Sequence, residues 1–122
     1  TLIALNARRL QMGRSAALSA VDPIVEGQRA KHLPDEPQDP TQALAHEYWL
    51  AITRYLQDTL MARLPGIDEK RLWDTVDVFL GEHAPHEWPI RRDEVVALGL
   101  PVAPAARAWT EMVDAYRKRW WR

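Results

Sequence analysis

The 122-residue chain contains no cysteine. This absence excludes disulfide bonds, a thiol nucleophile and cysteine-ligated zinc. Long hydrophobic runs are also missing: no apolar stretch approaches the length of about 18 residues that a membrane-spanning helix needs, so the sequence predicts no membrane span. Charge of one sign is not in excess either, because 16 lysines and arginines stand against 17 acids. Strong nucleic-acid binders usually carry a basic excess, so no nucleic-acid partner is expected.

Proline and tryptophan are the informative residues that are present, nine and six of them respectively. The prolines divide the chain, and six tryptophans are too many to leave in water without a core or a partner. The length and an ordinary globular composition predict one domain. The chain opens directly on an apolar stretch, residues 1–5, whereas natural N-termini are usually polar and loose. We therefore expect it to be a segment of a longer protein, incomplete at its N-terminal side.

Three parts of this one domain can be distinguished by composition. Residues 1–27 predict a short helix, a short strand and a loop that contains an aspartate. Residues 28–40 are polar and rich in proline, and we expect an exposed or mobile connection. Residues 41–122 predict a helical C-terminal part with a histidine-containing loop at 82–90.

Apolar residues at gaps of three, four and one predict a helix from Thr41, as its N-cap, to about Arg63. A second helix begins after Asp68 and ends at Gly81, and a short turn between the two predicts a helical hairpin. Pro104 is expected to start a last helix. The apolar positions expected on the buried faces of these helices are Leu44, Tyr48, Trp49, Ile52, Tyr55, Leu56, Leu60, Leu64, Leu72, Trp73, Val76, Phe79, Leu80, Trp109, Met112, Val113, Tyr116 and Trp120.

The loop at 82–90 holds two candidate functional residues, His83 and His86. Two histidines three residues apart could bind a metal, but a third ligand is missing, since Glu82 or Glu87 offers only a weak one. An ordinary polar loop is the favoured alternative, and no metal or other cofactor is expected. A single histidine acting as general base is a separate possibility, because an imidazole titrates near neutral pH.

Asp22 is the candidate carboxylate, because apolar neighbours on both sides suggest that it is partly buried. A buried carboxylate needs a partner, and a histidine held in one tautomer would serve. An aspartate turn before Pro23 is the simpler alternative and is favoured by the residues alone. Thr1 is a third candidate, as an N-terminal nucleophile, but that chemistry normally occurs on a fold richer in strands.

The tail, residues 117–122, combines four basic residues with two tryptophans. Such a pattern occurs at nucleic-acid and membrane surfaces. Cations at the end of a helix also interact favourably with its dipole. A solvated helix end with Trp120 docked inward is therefore the favoured interpretation.

Two stretches together resemble a known family. The first combines Thr1-Leu2-Ile3-Ala4-Leu5, Met12-Gly13 and Leu18-Ser19-Ala20-Val21-Asp22-Pro23. The second combines His86-Glu87-Trp88-Pro89-Ile90, Asp93-Glu94 and Leu98-Gly99-Leu100-Pro101-Val102. In order and separation they resemble segments of the Clp-class serine peptidases of the serine dehydrogenase proteinase family. The likeness touches most of residues 1–25 and 83–102.

This resemblance implies an α/β fold of Clp/crotonase type, of which the chain would be the predominantly α-helical C-terminal half. It also implies a Ser-Asp-His catalytic triad. Asp22 would be the orienting carboxylate, His86 the general base, and the nucleophilic serine would lie just upstream of Thr1. The implied function is hydrolysis of peptide bonds in a peptide or protein substrate through an acyl-enzyme, in a homo-oligomer.

Departures from the family pattern surround the aspartate. Ser19 and Ala20 replace the usual Gly-Pro before it, and Arg14 replaces a proline. An inactive homologue, or a non-catalytic helical module that binds another protein, is therefore the alternative reading. Two cellular locations remain open: the cytoplasm, or a membrane to which an upstream segment would attach the protein.

Overall fold

The computed structural model of the protein describes residues 1–34, 36–81 and 88–120. More than half of these residues are helical. The helices are α1 (Leu2–Asn6), α2 (Pro40–Arg63), α3 (Glu69–Leu80), α4 (Arg92–Ala97), α5 (Arg107–Trp120) and a 3-10 helix (Ala30–His32). The strands are β1 (Leu10–Met12), β2 (Ala17–Leu18), β3 (Ile24–Val25), β4 (Gln28–Arg29), β5 (Ile90–Arg91) and β6 (Val102–Pro104).

The strands of the described residues form three two-stranded sheets. β1 and β6 are parallel, with Leu10 opposite Val102. β2 and β5 are antiparallel, with Leu18 opposite Ile90, and β3 and β4 form a third, antiparallel pair. A parallel pair requires a long crossover, which α2, α3 and α4 supply here. The first two sheets thereby fasten the beginning of the chain to its last third.

Helix α2 begins two residues earlier than an N-cap at Thr41 predicts. Its N-cap is Asp39, whose carboxylate accepts a hydrogen bond from the backbone N–H of Gln42 at 2.8 Å. Pro40 is the first helical residue, a position that suits proline because its missing N–H would have no partner there. The prediction of Thr41 as the cap was therefore wrong: the capping side chain precedes the proline.

Helices α2 and α3 form the predicted hairpin and supply half of the buried core residues. Leu56 and Leu60 of α2 and Val76 and Phe79 of α3 are fully buried and belong to one cluster. Asp68 caps α3 by accepting a hydrogen bond from the Arg71 N–H at 2.9 Å. The cluster is completed by Leu5, Leu10, Met12, Leu72, Leu80, Ile90, Val95 and Leu100.

Several residues expected on the buried face of α2 are in fact exposed. Leu44 is 45% exposed, Tyr48 51% and Tyr55 48%. Helix α2 has 24 residues and α3 only 12, so α3 can cover no more than half of it. Periodicity identified an apolar face but could not tell how much of it would have a partner. Trp73 of α3 is likewise 43% exposed rather than buried.

Helix α5 departs most from expectation. It starts at Arg107, because Pro104 belongs to β6 and lies opposite Met12. None of its residues is buried, and Trp120 is 64% exposed. The favoured interpretation of the tail, with this tryptophan docked inward, was therefore wrong.

The proline-rich connection is shorter than predicted. Residues 36–40 are exposed, as expected. However, β4 and the 3-10 helix occupy residues 28–32, and Ala30 is buried. This part of the chain lies against the core because β4 pairs with β3 and the Ala30 N–H donates to the Pro23 carbonyl at 2.8 Å.

Candidate functional site

Asp22 is one of the most deeply buried polar residues described, with 3% of the residue and none of the side chain exposed. The preceding residue fixes its position: the Val21 N–H donates a hydrogen bond to the Phe79 carbonyl of α3 at 2.8 Å. The carboxylate therefore lies beside the C-terminal turn of α3. The sequence-based suggestion of a partly buried Asp22 was correct in direction and underestimated the burial.

Arg29 is the charged partner of Asp22. Its Nε donates a hydrogen bond to Oδ2 of the carboxylate, and its side chain is 16% exposed. The two residues meet because β3 and β4 form a hairpin with Glu26 and Gly27 at the turn, both at positive φ. Two central residues with positive φ match the twist of the flanking strands. A buried ion pair of this kind satisfies one oxygen of the carboxylate.

The sequence analysis missed this partner, since it placed Arg29 in the polar connection. A signal was nevertheless present. Ile24 and Val25 are followed by Glu26-Gly27, and a two-residue turn ending in glycine after β-branched residues predicts a hairpin. That hairpin would have returned Arg29 to the neighbourhood of Asp22.

The second oxygen of the carboxylate, Oδ1 of Asp22, is buried and has no hydrogen-bond partner among the described residues. Buried polar atoms are almost always hydrogen-bonded, because an unsatisfied one costs free energy. An ionised carboxylate oxygen is an acceptor only. The site is therefore arranged to receive one further donor at Oδ1.

Gly81 lies at the edge of the same site. It ends α3 in a left-handed conformation, with φ of 69°, and its carbonyl accepts hydrogen bonds from Arg29 Nη2 at 3.5 Å and from Lys31 Nζ. Two cations at the C-terminal end of a helix interact favourably with its dipole. The Gly81 carbonyl and the Asp22 carboxylate thus bind one guanidinium group. We call Asp22, Arg29, Lys31 and Gly81 the Asp22 cluster.

His86, the proposed general base, lies outside the described residues, as does His83. Both belong to the segment 82–87. Gly81, the residue before this segment, belongs to the Asp22 cluster. Ile90, three residues after the segment, pairs with Leu18.

Thr1 uses its hydroxyl to hold the backbone of the aspartate loop. Its Oγ1 accepts a hydrogen bond from the Ser19 N–H at 2.9 Å and donates one to the Ser19 carbonyl at 2.5 Å. This arrangement gives Thr1 a structural role. It also holds the start of α1 against Ser19, which precedes Asp22 by three residues.

Metal and membrane sites can be addressed only for the described ranges. Residues 1–34, 36–81 and 88–120 contain no group of three or more metal-ligating side chains. Over the same ranges, no helix combines the length and apolar character needed to cross a bilayer. The two-histidine metal hypothesis concerns residues outside these ranges.

Comparison with models of known protein families, with curated proteins and with solved structures found no match in any of the three.

Proposed function

We propose that this chain is part of a serine peptidase of the Clp class, on an α/β fold of Clp/crotonase type. In this proposal Asp22 orients His86, His86 is the general base, and a serine upstream of Thr1 is the nucleophile. The observation that carries the proposal is the buried Oδ1 of Asp22, which has no partner among the described residues and belongs to a cluster that also contains Gly81, the residue before the segment of His86.

The chemistry of a triad suits this carboxylate. Arg29 holds Oδ2, so the carboxylate is fixed and its charge is partly balanced, while Oδ1 remains for the Nδ1–H of an imidazole. The imidazole Nε2 would take the proton of the serine hydroxyl as its oxygen attacks the peptide carbonyl. The same proton would then pass to the leaving amine, and water would hydrolyse the acyl-enzyme.

Two further features agree with the proposal. Thr1 is hydrogen-bonded to Ser19, so a residue immediately before Thr1 would lie next to the aspartate loop. The parallel pairing of β1 with β6 across a helical crossover is also typical of α/β folds.

A labelling experiment tests the proposed triad. The chain, expressed together with its upstream sequence, is treated with a serine-reactive phosphonate. We expect labelling that Asp22→Asn and His86→Gln each reduce by about a hundredfold or more. His83→Gln is the matched control and should leave labelling unchanged. Labelling that survives both of the first two substitutions would remove Asp22 and His86 from their proposed roles.

A second experiment needs only the 122-residue chain. At about pH 8 imidazoles are neutral, and nitrogen chemical shifts report which ring nitrogen carries the proton. If Asp22 Oδ1 accepts a hydrogen bond from His86, the Nδ1–H tautomer should dominate in His86, and Asp22→Asn should abolish that preference. His46 on α2 serves as an internal control. Identical spectra for His86 in both proteins would contradict the Asp22–His86 pair.

An exposed apolar groove favours a second candidate function, that of a helical module that binds another protein or a second copy of this chain. The groove lies between α1 and α2, has a volume of about 770 Å³ and is lined by residues that include Leu2, Ile52 and Tyr55. Ile3 at its rim is 90% exposed. This surface also supports the proposed homo-oligomer. Sedimentation equilibrium tests it: Ile3→Lys should shift an oligomer toward monomer, with Glu47→Lys as the control.

A further inference from the structure

Helix α5 has an apolar face that nothing in the described part of the protein covers. Its apolar residues are between 43% and 64% exposed, and no residue of the helix is buried. Contact with the body includes a hydrogen bond from Arg117 Nη1 to Ser15 Oγ at 2.9 Å. The residues of this face are Trp109, Met112, Val113, Tyr116 and Trp120.

The distribution of charge around this face is uneven. At 100° per residue the five apolar side chains span about 100° of the helix. Arg117 lies about 40° beyond one edge of the face and Arg119 about 20° beyond the other. Both acids of the helix, Glu111 and Asp114, lie on the opposite side. The apolar face is therefore bordered by positive charge on both edges.

The contacts of these charged side chains leave that border positive. Glu111 is paired with Arg107 at 2.6 Å, away from the apolar face. Arg117 donates to a neutral hydroxyl, which does not cancel its charge. Arg119 lies over the Trp120 ring, with its guanidinium carbon 5.7 Å from the ring centre.

We propose that α5 binds the surface of a membrane that contains anionic lipids, lying in the plane of the interface. Tryptophan and tyrosine suit that depth because their rings are apolar and their N–H and O–H groups reach water. Arginines at the edges of the face would meet the lipid phosphates. Charge complementarity favours this partner, because an anionic surface balances the positive charge at both edges of the apolar face at once.

The other occupants fit this face less well. In a pair of α5 helices packed through the face, Arg117 and Arg119 would border the contact, and neither acid of the helix lies on the apolar face to balance them. Single-stranded nucleic acid would use the cations and the rings, but it gives no role to Met112 and Val113 in the middle of the face. Both of these occupants remain distinguishable by experiment.

Vesicle co-sedimentation of the 122-residue chain tests the proposal. We expect at least tenfold stronger binding to vesicles of phosphatidylcholine with phosphatidylglycerol than to phosphatidylcholine alone, weakening as salt is raised. Trp109→Ala should reduce binding about tenfold, whereas the adjacent Thr110→Ala should not change it. Arg119→Gln should weaken binding more than Arg107→Gln, because Arg107 lies on the opposite side of the helix. All four positions are exposed, so these substitutions should leave the fold intact.

Three results would overturn the proposal. The first is equal binding, or no binding, to the two kinds of vesicle. The second is binding to a single-stranded oligonucleotide that Trp109→Ala and Arg119→Gln both weaken, in the absence of any vesicle binding, which would assign the tail to nucleic acid. The third is a dimer, seen by sedimentation, that Trp109→Ala dissociates in the absence of any vesicle binding, which would assign the face to a second copy of the chain.

Discussion

The buried ion pair between Asp22 and Arg29 permits a quantitative prediction. Replacing Arg29 with methionine keeps most of the side-chain volume but leaves the Asp22 carboxylate in a site where none of its surface is exposed. Removing one partner of a buried pair typically costs about 3–5 kcal/mol in the free energy of unfolding. With a urea m-value of about 2 kcal/mol/M, the unfolding midpoint of Arg29→Met should fall by about 2 M.

The physical cause can be separated from loss of packing by a second substitution. In Asp22→Leu/Arg29→Met neither member of the ion pair remains, so the double variant should regain about 2 kcal/mol or more relative to Arg29→Met. Arg54→Met, at an exposed position on α2, is the matched control and should shift stability by no more than about 0.5 kcal/mol.

The assay is urea unfolding followed by far-ultraviolet circular dichroism, with the parent chain and the three variants measured side by side. A loss below about 1 kcal/mol for Arg29→Met would refute the reasoning, since a buried unpaired carboxylate cannot cost so little. A double variant no more stable than Arg29→Met would refute it as well. In that case the cost would come from packing of the arginine rather than from the charge it leaves behind.

Three further predictions concern the scaffold and use the same unfolding assay. Phe79→Ala should cost about 3–5 kcal/mol because the ring is fully buried, whereas Val78→Ala, at a position 39% exposed, should cost much less; equal losses would contradict the core assignment. Asp39→Ala should cost about 1 kcal/mol through loss of the α2 cap, and no loss would mean that this cap is not formed in solution. Gly99→Ala should destabilise the protein by about 1–2 kcal/mol and by more than Gly66→Ala. Both glycines have positive φ, but only at Gly99 would a Cβ meet another side chain, at 2.5 Å. A larger loss for Gly66→Ala than for Gly99→Ala would argue against this geometry.

Much of the secondary structure could be predicted from the sequence because it depends on local chemistry. The α2–α3 hairpin follows from apolar spacing, from the turn at Pro65-Gly66 and from the Asp68 cap, all of which act within a few residues. The 24-residue length of α2 was predicted to within two residues. The error at its N-cap arose because Asp39 and Thr41, which flank Pro40, are both residue types that cap helices. The structure uses Asp39, which leaves Pro40 as the first helical residue.

Only part of the candidate site could be predicted from the sequence. Apolar neighbours around Asp22 indicated burial, but its partner Arg29 depends on a tight turn and on the packing of β3 and β4 against α3. His86 was selected by resemblance and lies outside the described residues, so its role stays a prediction. The unsatisfied Oδ1 is a property of three-dimensional packing that no sequence pattern reveals.

By itself, then, the sequence determined that α2 and α3 form a helical hairpin, because the period of apolar residues, the turn between the helices and the Asp68 cap are local. Only the tertiary structure decided which apolar faces are covered. Helix α5 has as regular an apolar face as α3, yet that of α3 is largely buried and that of α5 lies in solvent. The difference arises because burial of a face depends on whether another element is in place to receive it, and that depends on contacts between residues far apart in the chain.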